Sequence, residues 1–145
     1  MSAHPSENRL EFPFQDIPGP GEVVTIADGI LWARIPLPYR LDHVNVYLIR
    51  DGEAWALVDT GINTPEARAA WDTLFTRTLP DLKISRVIVT HHHPDHIGLA
   101  GWICERFGAA LMTSQTAYMS SRVLSLAPQE TGLRQYFDFY VSQGM

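Results

Sequence analysis

The residues with the clearest chemical potential lie in one short segment, Thr90 to Gly98. Four side chains that commonly bind metal ions fall within six positions: His91, His93, Asp95 and His96. The preceding run, residues 84–90, has the apolar and β-branched composition of a strand, and residues 97–107 have helical spacing. The four side chains are therefore predicted where a strand ends and a helix begins, which is where open α/β sheets gather their sites.

The spacing of these side chains indicates how they could share metal ions. On extended backbone, His91 and His93 point to the same face of the chain and can bind one ion together. Pro94 disfavours helix at the residue before it and turns the chain. Asp95 and His96 can then reach a second ion nearby. Imidazole and carboxylate together suit Zn²⁺, with Fe or Mn as alternatives.

Two less specific interpretations compete with a metal site. Clustered histidines can be a tag or a solvated loop, but this segment is internal and directly follows the apolar run Val87 to Val89. His92 points away from its two neighbours by strand alternation. We therefore expect His92 to be a filler or a supporting residue, and not a metal ligand.

The elements before this segment are predicted from turn signals and periodicity. Asp28-Gly29 and Asp51-Gly52 are each flanked by apolar runs, which is typical of β-hairpins. Thr64 and Pro65 then resemble the N-cap and first position of a helix over residues 65–79, with an apolar face. After the segment, residues 109–113 are predicted to form a strand parallel to the first. Two helical patterns follow, one that begins at Ser114 or Thr116 and runs to about Leu126, and one over residues 131–141. The fold class is therefore α/β.

Composition and length narrow the function classes. The chain has 145 residues and a net charge of −5 with histidine neutral, and it has no basic stripe, so nucleic-acid binding is disfavoured. Cys104 is the single cysteine, which leaves no disulfide framework and favours a small buried residue. No apolar run reaches membrane-spanning length and no signal peptide is visible. We expect a cytoplasmic protein with a small-molecule substrate, organised as an arm over residues 1–21 and a domain over residues 22–145.

The ordered set His91, His93, Asp95 and His96 resembles the His-x-His-x-Asp-His signature of the metallo-β-lactamase-fold hydrolases. Asp59-Thr60-Gly61, at the end of an apolar strand, matches an Asp-x-Gly that the same family carries there. The resemblance implies an αβ/βα sandwich of two similar halves in four layers, and a site for two zinc ions. It also implies that Asp59 lies close to the metals and orients a ligand histidine. The alternative for Asp59 is a turn residue that caps local backbone.

The resemblance also implies ligands that this chain does not supply. The complete site takes a third histidine, a bridging aspartate and a final histidine from later strands. No histidine follows His96, and Asp138 lies in an aromatic helical run. The chain is therefore expected to correspond to the N-terminal half of the fold, either as a fragment or as a natural half-length protein. Either case leaves an apolar sheet face uncovered, which predicts a homodimer or coverage by a C-terminal half.

The leading functional hypothesis is a metal-dependent hydrolase, similar to glyoxalase II-like thioesterases, that attacks an ester, thioester, lactam or phosphodiester with activated water. In it His91 and His93 hold the first metal, Asp95 and His96 hold the second, and Asp95 accepts a proton from the attacking water. The isolated half-domain is expected to be nearly inactive. A non-catalytic metal-binding or assembly module, and an iron-dependent redox member of the same fold, are the alternatives.

Overall fold

The computed structural model describes residues 13–126 together with Asp138, Val141 and Ser142. Six strands form one sheet in the order of the sequence. The strands are β1 Val24–Ala27, β2 Ile30–Pro36, β3 His43–Asp51, β4 Ala54–Val58, β5 Ile84–Ile88 and β6 Ala110–Met112. The helices are α1 Pro65–Thr73, which continues as a π-helical turn Leu74–Thr78, then α2 Pro94–Ile97, α3 Ala100–Phe107 and α4 Gln115–Leu126.

The first four strands are antiparallel, and β4, β5 and β6 are parallel to one another. Both predicted Asp-Gly turns are confirmed, because they connect β1 to β2 and β3 to β4 and their glycines have positive φ. Parallel strands need a crossover connection, and α1 and α3 provide it on either side of β5. The α/β fold class is therefore confirmed.

One buried core lies between the sheet and the helices α1 and α3. Val46 and Leu48 from β3 and Leu57 from β4 face Trp71 of α1 and Ile103 of α3, and all five side chains are fully buried. The predicted helix start is confirmed, since the Thr64 hydroxyl accepts from the Ala67 amide at 3.2 Å. The helices predicted near residues 65–79 and 97–107 therefore share one face of the sheet.

The opposite face of the sheet has no helix packed on it among the described residues. The side chains that alternate with the core positions point there, including the half-buried Trp32 and Tyr47 and the exposed Ile49 and Met112. None of the described helices is long and apolar enough to cross a membrane. This second face is apolar in part, as the sequence predicts.

Two sequence expectations around the histidine segment need correction. The single helix predicted over residues 97–107 is two helices, because the Leu99 amide donates to the carbonyl of Gly61 at 3.2 Å and not within a helix. β5 ends at Ile88, so the three histidines lie beyond the strand: His91 and His92 are in a bend, and His93 has extended backbone as the residue before α2. Strand alternation therefore does not decide which way these rings point.

The helix predicted over residues 131–141 lies outside the described residues, apart from Asp138 and Val141, which are helical. The predicted N-terminal arm is described from Pro13 onward. Its last residue, Gly21, is buried, and its carbonyl accepts from the Thr78 hydroxyl at 2.6 Å. This end of the arm therefore packs on the π-helical turn that follows α1.

Candidate metal centre

A buried carboxylate, Asp59, connects the ends of β4 and β5. It follows directly after β4, and its backbone has a φ of 60°, the only positive φ outside glycine in the described part of the chain. One side-chain oxygen accepts from the Thr90 amide at 2.8 Å, and the Thr90 hydroxyl donates to the other at 2.8 Å. Asp is one of the few residues that adopt the left-handed region readily, so the chain can turn here and still aim the carboxylate at the end of β5.

The same carboxylate contacts a histidine of the predicted ligand set. His96 Nδ1 lies 2.8 Å from Asp59 Oδ2. A carboxylate only accepts hydrogen bonds, so Nδ1 carries a proton, and in the neutral ring Nε2 then keeps its lone pair. This is the tautomer in which Nε2 can bind a metal ion. The predicted contact between Asp59 and a histidine is thus present in the structure, and its effect on metal binding remains a prediction.

The backbone of Thr60 and Gly61 fixes the position of α2. The Thr60 amide and hydroxyl both donate to the His96 carbonyl, at 2.9 and 2.8 Å. The Thr60 carbonyl in turn accepts from Trp71 Nε1 at 2.7 Å, which ties the turn to the core of α1. A Cβ atom on Gly98 would lie 3.0 Å from the Gly61 carbonyl oxygen and closer still to other backbone atoms. The backbone of α2 therefore packs so closely against the turn after β4 that there is no room for a side chain at position 98.

The four predicted ligand residues lie together at this edge of the sheet. The His91 ring centroid is 4.0 Å from that of His96 and 4.6 Å from that of His93. His96 Nε2 lies 3.4 Å from Asp95 Oδ2. The predicted division, with His91 and His93 on one ion and Asp95 and His96 on another, stays a prediction, because His91 adjoins His96 as closely as it adjoins His93.

The protonation of His91 suits a metal ligand. Burial lowers its pKa, and repulsion from His96 and His93 lowers it further, while the carboxylates of Asp59 and Asp95 oppose the shift. The ring therefore remains neutral to lower pH than a free histidine. A metal ion requires the neutral form, since the lone pair is its binding group.

The four side chains are of the types that bind zinc, but too few of them converge on one point to hold an ion. Three imidazoles and one carboxylate are common zinc ligands, and His96 is already oriented through its Nδ1 proton. Within residues 13–126 and the three further described positions, however, no group of three such side chains converges in a metal-binding arrangement. The rings are adjacent, so they would have to rotate, or further donors would have to join them, to complete a shell.

Two residues of this site were not singled out from the sequence. Thr90 contacts both oxygens of Asp59, and Thr60 bridges the β4 turn to α2 and to Leu99. The position of Thr90, a polar residue at the end of an apolar strand, is the signal that could have identified it.

Cys104 lies outside this site. It packs at the margin of the core, where burial raises the pKa of its thiol.

A family model described as the metallo-beta-lactamase superfamily matches residues 39–135, more than half of the chain. The chain belongs to the metallo-beta-lactamase superfamily. The match includes Asp59 and the whole segment from His91 to His96. The resemblance inferred from the sequence is therefore confirmed at the level of family and fold.

Members of the superfamily with solved structures share this fold. A beta-lactamase domain protein from Burkholderia ambifaria is 39% identical, with a TM-score of 0.73, over 80% of this chain and 37% of that chain. The mono-zinc metallo-beta-lactamase FIM-1 from Pseudomonas aeruginosa is 21% identical, with a TM-score of 0.56, over 79% of this chain and 51% of that chain. The second likeness concerns the fold alone.

Curated superfamily relatives carry hydrolase names. The probable metallo-hydrolase YqjP of Bacillus subtilis is 40% identical over 50% of this chain and 23% of its own length. The thioesterase pkgB of Emericella nidulans is 38% identical over 43% of this chain and 18% of its own length. The chain thus spans about a quarter or less of these relatives.

Proposed function

We propose that this chain supplies the first part of the active site of a zinc-dependent hydrolase, in which His91, His93, Asp95 and His96 hold the metal. One observation carries the proposal: the contact between Asp59 and His96 Nδ1 at 2.8 Å. A buried carboxylate that fixes one imidazole tautomer is a common support for a metal-binding histidine. The neutral state favoured at His91 by burial gives a second ligand the form that metal binding needs.

The residues of the chain have distinct tasks in this proposal. Asp59 holds the His96 proton at Nδ1 and keeps Nε2 toward the cluster. Asp95, whose side chain is 29% exposed, is open enough to accept a proton from an attacking water at Oδ2. When bound, zinc supplies Lewis-acid chemistry that polarises the scissile carbonyl and makes water easier to deprotonate. Fe and Mn are alternative ions for the same donors.

Thioesters and esters are the substrate class that we favour. One relative is named a thioesterase and another an atrochrysone carboxyl ACP thioesterase, the latter from Aspergillus terreus at 29% identity over 63% of this chain. Both substrate classes present a carbonyl that the proposed site can polarise. Lactams and phosphodiesters would be processed through the same groups, so a substrate panel containing all four classes tests the preference directly.

The chain of residues 1–145 is expected to bind zinc weakly and to turn over substrate hardly at all. Catalytic zinc usually has three protein ligands, and no three donors converge among the described residues. Elemental analysis after dialysis and a zinc competition titration measure the affinity, and thioester hydrolysis measures turnover. Stoichiometric tight zinc with ordinary turnover from a monomer would contradict the prediction.

A longer polypeptide, extended by whatever coding sequence follows these residues in the gene, is the matched comparison. If it binds zinc tightly and hydrolyses thioesters, whereas the 145-residue chain does neither, the missing ligands come from outside this chain. If both bind zinc and neither hydrolyses any substrate of the panel, the alternative of a non-catalytic metal-binding module is correct. Iron in the purified protein would point to the redox alternative.

The uncovered sheet face is the proposed contact surface of a second copy or of a further stretch of polypeptide. Ile49 and Met112 are 40% and 46% exposed on it, and half-exposed apolar side chains of this size favour association. We expect concentration-dependent dimerisation of residues 1–145 in analytical ultracentrifugation. Ile49→Lys should shift the protein toward monomer, whereas Val123→Lys, on the exposed side of α4, should not. A monomer at all concentrations would contradict the prediction.

A further inference from the structure

A cleft of about 350 Å³ separates the histidine segment from α4. One wall is formed by His92, Pro94 and Ile97, and the other includes Ser121, Arg122 and Leu124. The volume lies in the range of small-molecule pockets. His92 lines the cleft, and its ring centroid is 5.0 Å from that of His93, so the cleft lies beside the histidine cluster.

The charge of the cleft has one sign. Among the described residues, Arg122 is the only arginine or lysine of the lining, and no aspartate or glutamate lines the cleft. In the described part of the chain, Arg122 makes no ion pair, whereas Arg34, Arg86 and Arg106 each have an aspartate partner. Within the described part of the chain, the cleft therefore offers a guanidinium without an ion-pair partner, on a protein whose overall charge is −5.

The other residues that line the cleft restrict which ligand groups could bind beside Arg122. The hydroxyls of Ser121 and Ser125 donate to carbonyls of their own helix, at 2.8 and 2.9 Å, so they have no proton to offer a ligand. Pro94, Ile97 and Leu124 are apolar. A matching ligand has a short apolar body with an anionic group at one end, because guanidinium pairs with carboxylate through parallel hydrogen bonds.

We propose that this cleft binds the acyl portion of the substrate and that the acyl portion carries a carboxylate, which pairs with Arg122. The assignment rests on the proposed hydrolase function and adds the substrate class: a thioester or ester of a dicarboxylic acid. With the carboxylate at Arg122, the acyl chain runs along Ile97 and Leu124 toward the histidine cluster. Arg122 is thus a specificity-determining residue that does not touch the reacting atoms.

The test uses two non-hydrolysable amides of equal chain length, N-propylglutaramate with a carboxylate and N-propylpentanamide without one. Methyl NMR shifts of Ile97 and Leu124 report binding in the cleft and give the dissociation constants. Wild-type protein should prefer the anionic amide. Arg122→Gln should weaken its binding about fivefold, as an exposed ion pair allows, and should leave the neutral amide unchanged.

Two further variants separate charge at the cleft from charge in general. Arg122→Lys should keep most of the preference for the anion. Arg77→Gln removes an exposed helical arginine at the opposite edge of the sheet and should change nothing. Equal affinity of wild-type protein for the two amides, or an equal loss in the Arg77 variant, would overturn the assignment.

The outcome is independent of the hydrolase test. Zinc-dependent thioester hydrolysis without any anion preference at the cleft would remove this inference and leave the proposed function intact. Anion-selective binding without zinc binding or hydrolysis, in the longer polypeptide as well, would keep the carboxylate site and overturn its link to a hydrolase substrate.

Discussion

Replacing Asp59 with asparagine is expected to weaken zinc binding by about 10- to 100-fold, the usual loss when the partner of a metal-binding histidine is removed. Asparagine also adopts the left-handed backbone that this position requires. Its amide oxygen can still accept from Thr90, but its NH₂ group would then donate to His96 Nδ1. The proton of the imidazole would move to Nε2, and that nitrogen could no longer bind a metal.

The tautomer can be measured without any metal. Nitrogen-15 shifts of the His96 ring should show the proton on Nδ1 in wild-type protein and on Nε2 in Asp59→Asn, while zinc competition gives the affinity ratio. Asp51→Asn is the matched control, because Asp51 pairs with Ser85 and Arg86 at the opposite edge of the sheet. An unchanged zinc affinity in Asp59→Asn, or an equal loss in the control, would contradict the role of Asp59.

Gly61→Ala is expected to lower the free energy of unfolding by about 2–5 kcal/mol. Part of this cost arises because φ is 84° at Gly61, a region where a Cβ atom is unfavourable by about 1–2 kcal/mol. The rest arises because the new Cβ would lie 2.4 Å from Cγ2 of the buried Ile35, and overpacking of a filled core costs about 1–3 kcal/mol. Urea denaturation followed by circular dichroism measures the difference.

Two other glycines provide the controls for that measurement. Gly52 has a φ of 63° and nothing within 4 Å of its Cβ position, so Gly52→Ala isolates the backbone term and should cost about 1–2 kcal/mol. Gly101 lies in α3 in open space, and Gly101→Ala should stabilise the protein by up to about 1 kcal/mol. If Gly61→Ala costs no more than Gly52→Ala, Ile35 does not restrict the turn.

Local signals predicted most of the elements because their causes are local. The Asp-Gly turns need positive φ, which glycine adopts without steric cost. At the start of α1, the Thr64 side chain accepts a hydrogen bond from a free helix amide, and the ring of Pro65 fixes a helical φ. Alternation in β3 gives the buried positions Val44, Val46 and Leu48. Each of these features depends on residues within a few positions of one another, so no tertiary information was needed.

The break between α2 and α3 could not be predicted in the same way. Helical periodicity runs through residues 97–107, but Leu99 donates its amide to Gly61 and to the Thr60 hydroxyl, which are far away in the sequence. A competing hydrogen-bond partner that comes from another element leaves no periodic signal. The same holds for Thr90, whose role depends on the position of Asp59 in space.

The sequence by itself determined the family and the predicted ligand set, because the order and spacing of His91, His93, Asp95 and His96 are covalent properties of the chain. Only the tertiary structure decided how they are supported: β4 and β5 lie side by side, so Asp59 reaches Thr90 and His96 from 31 and 37 residues away. The tertiary structure also placed Arg122 of α4 across the cleft from the histidine segment. Contacts of this kind follow from the packing of whole elements, since burial of apolar faces sets the distance between side chains that share no local pattern.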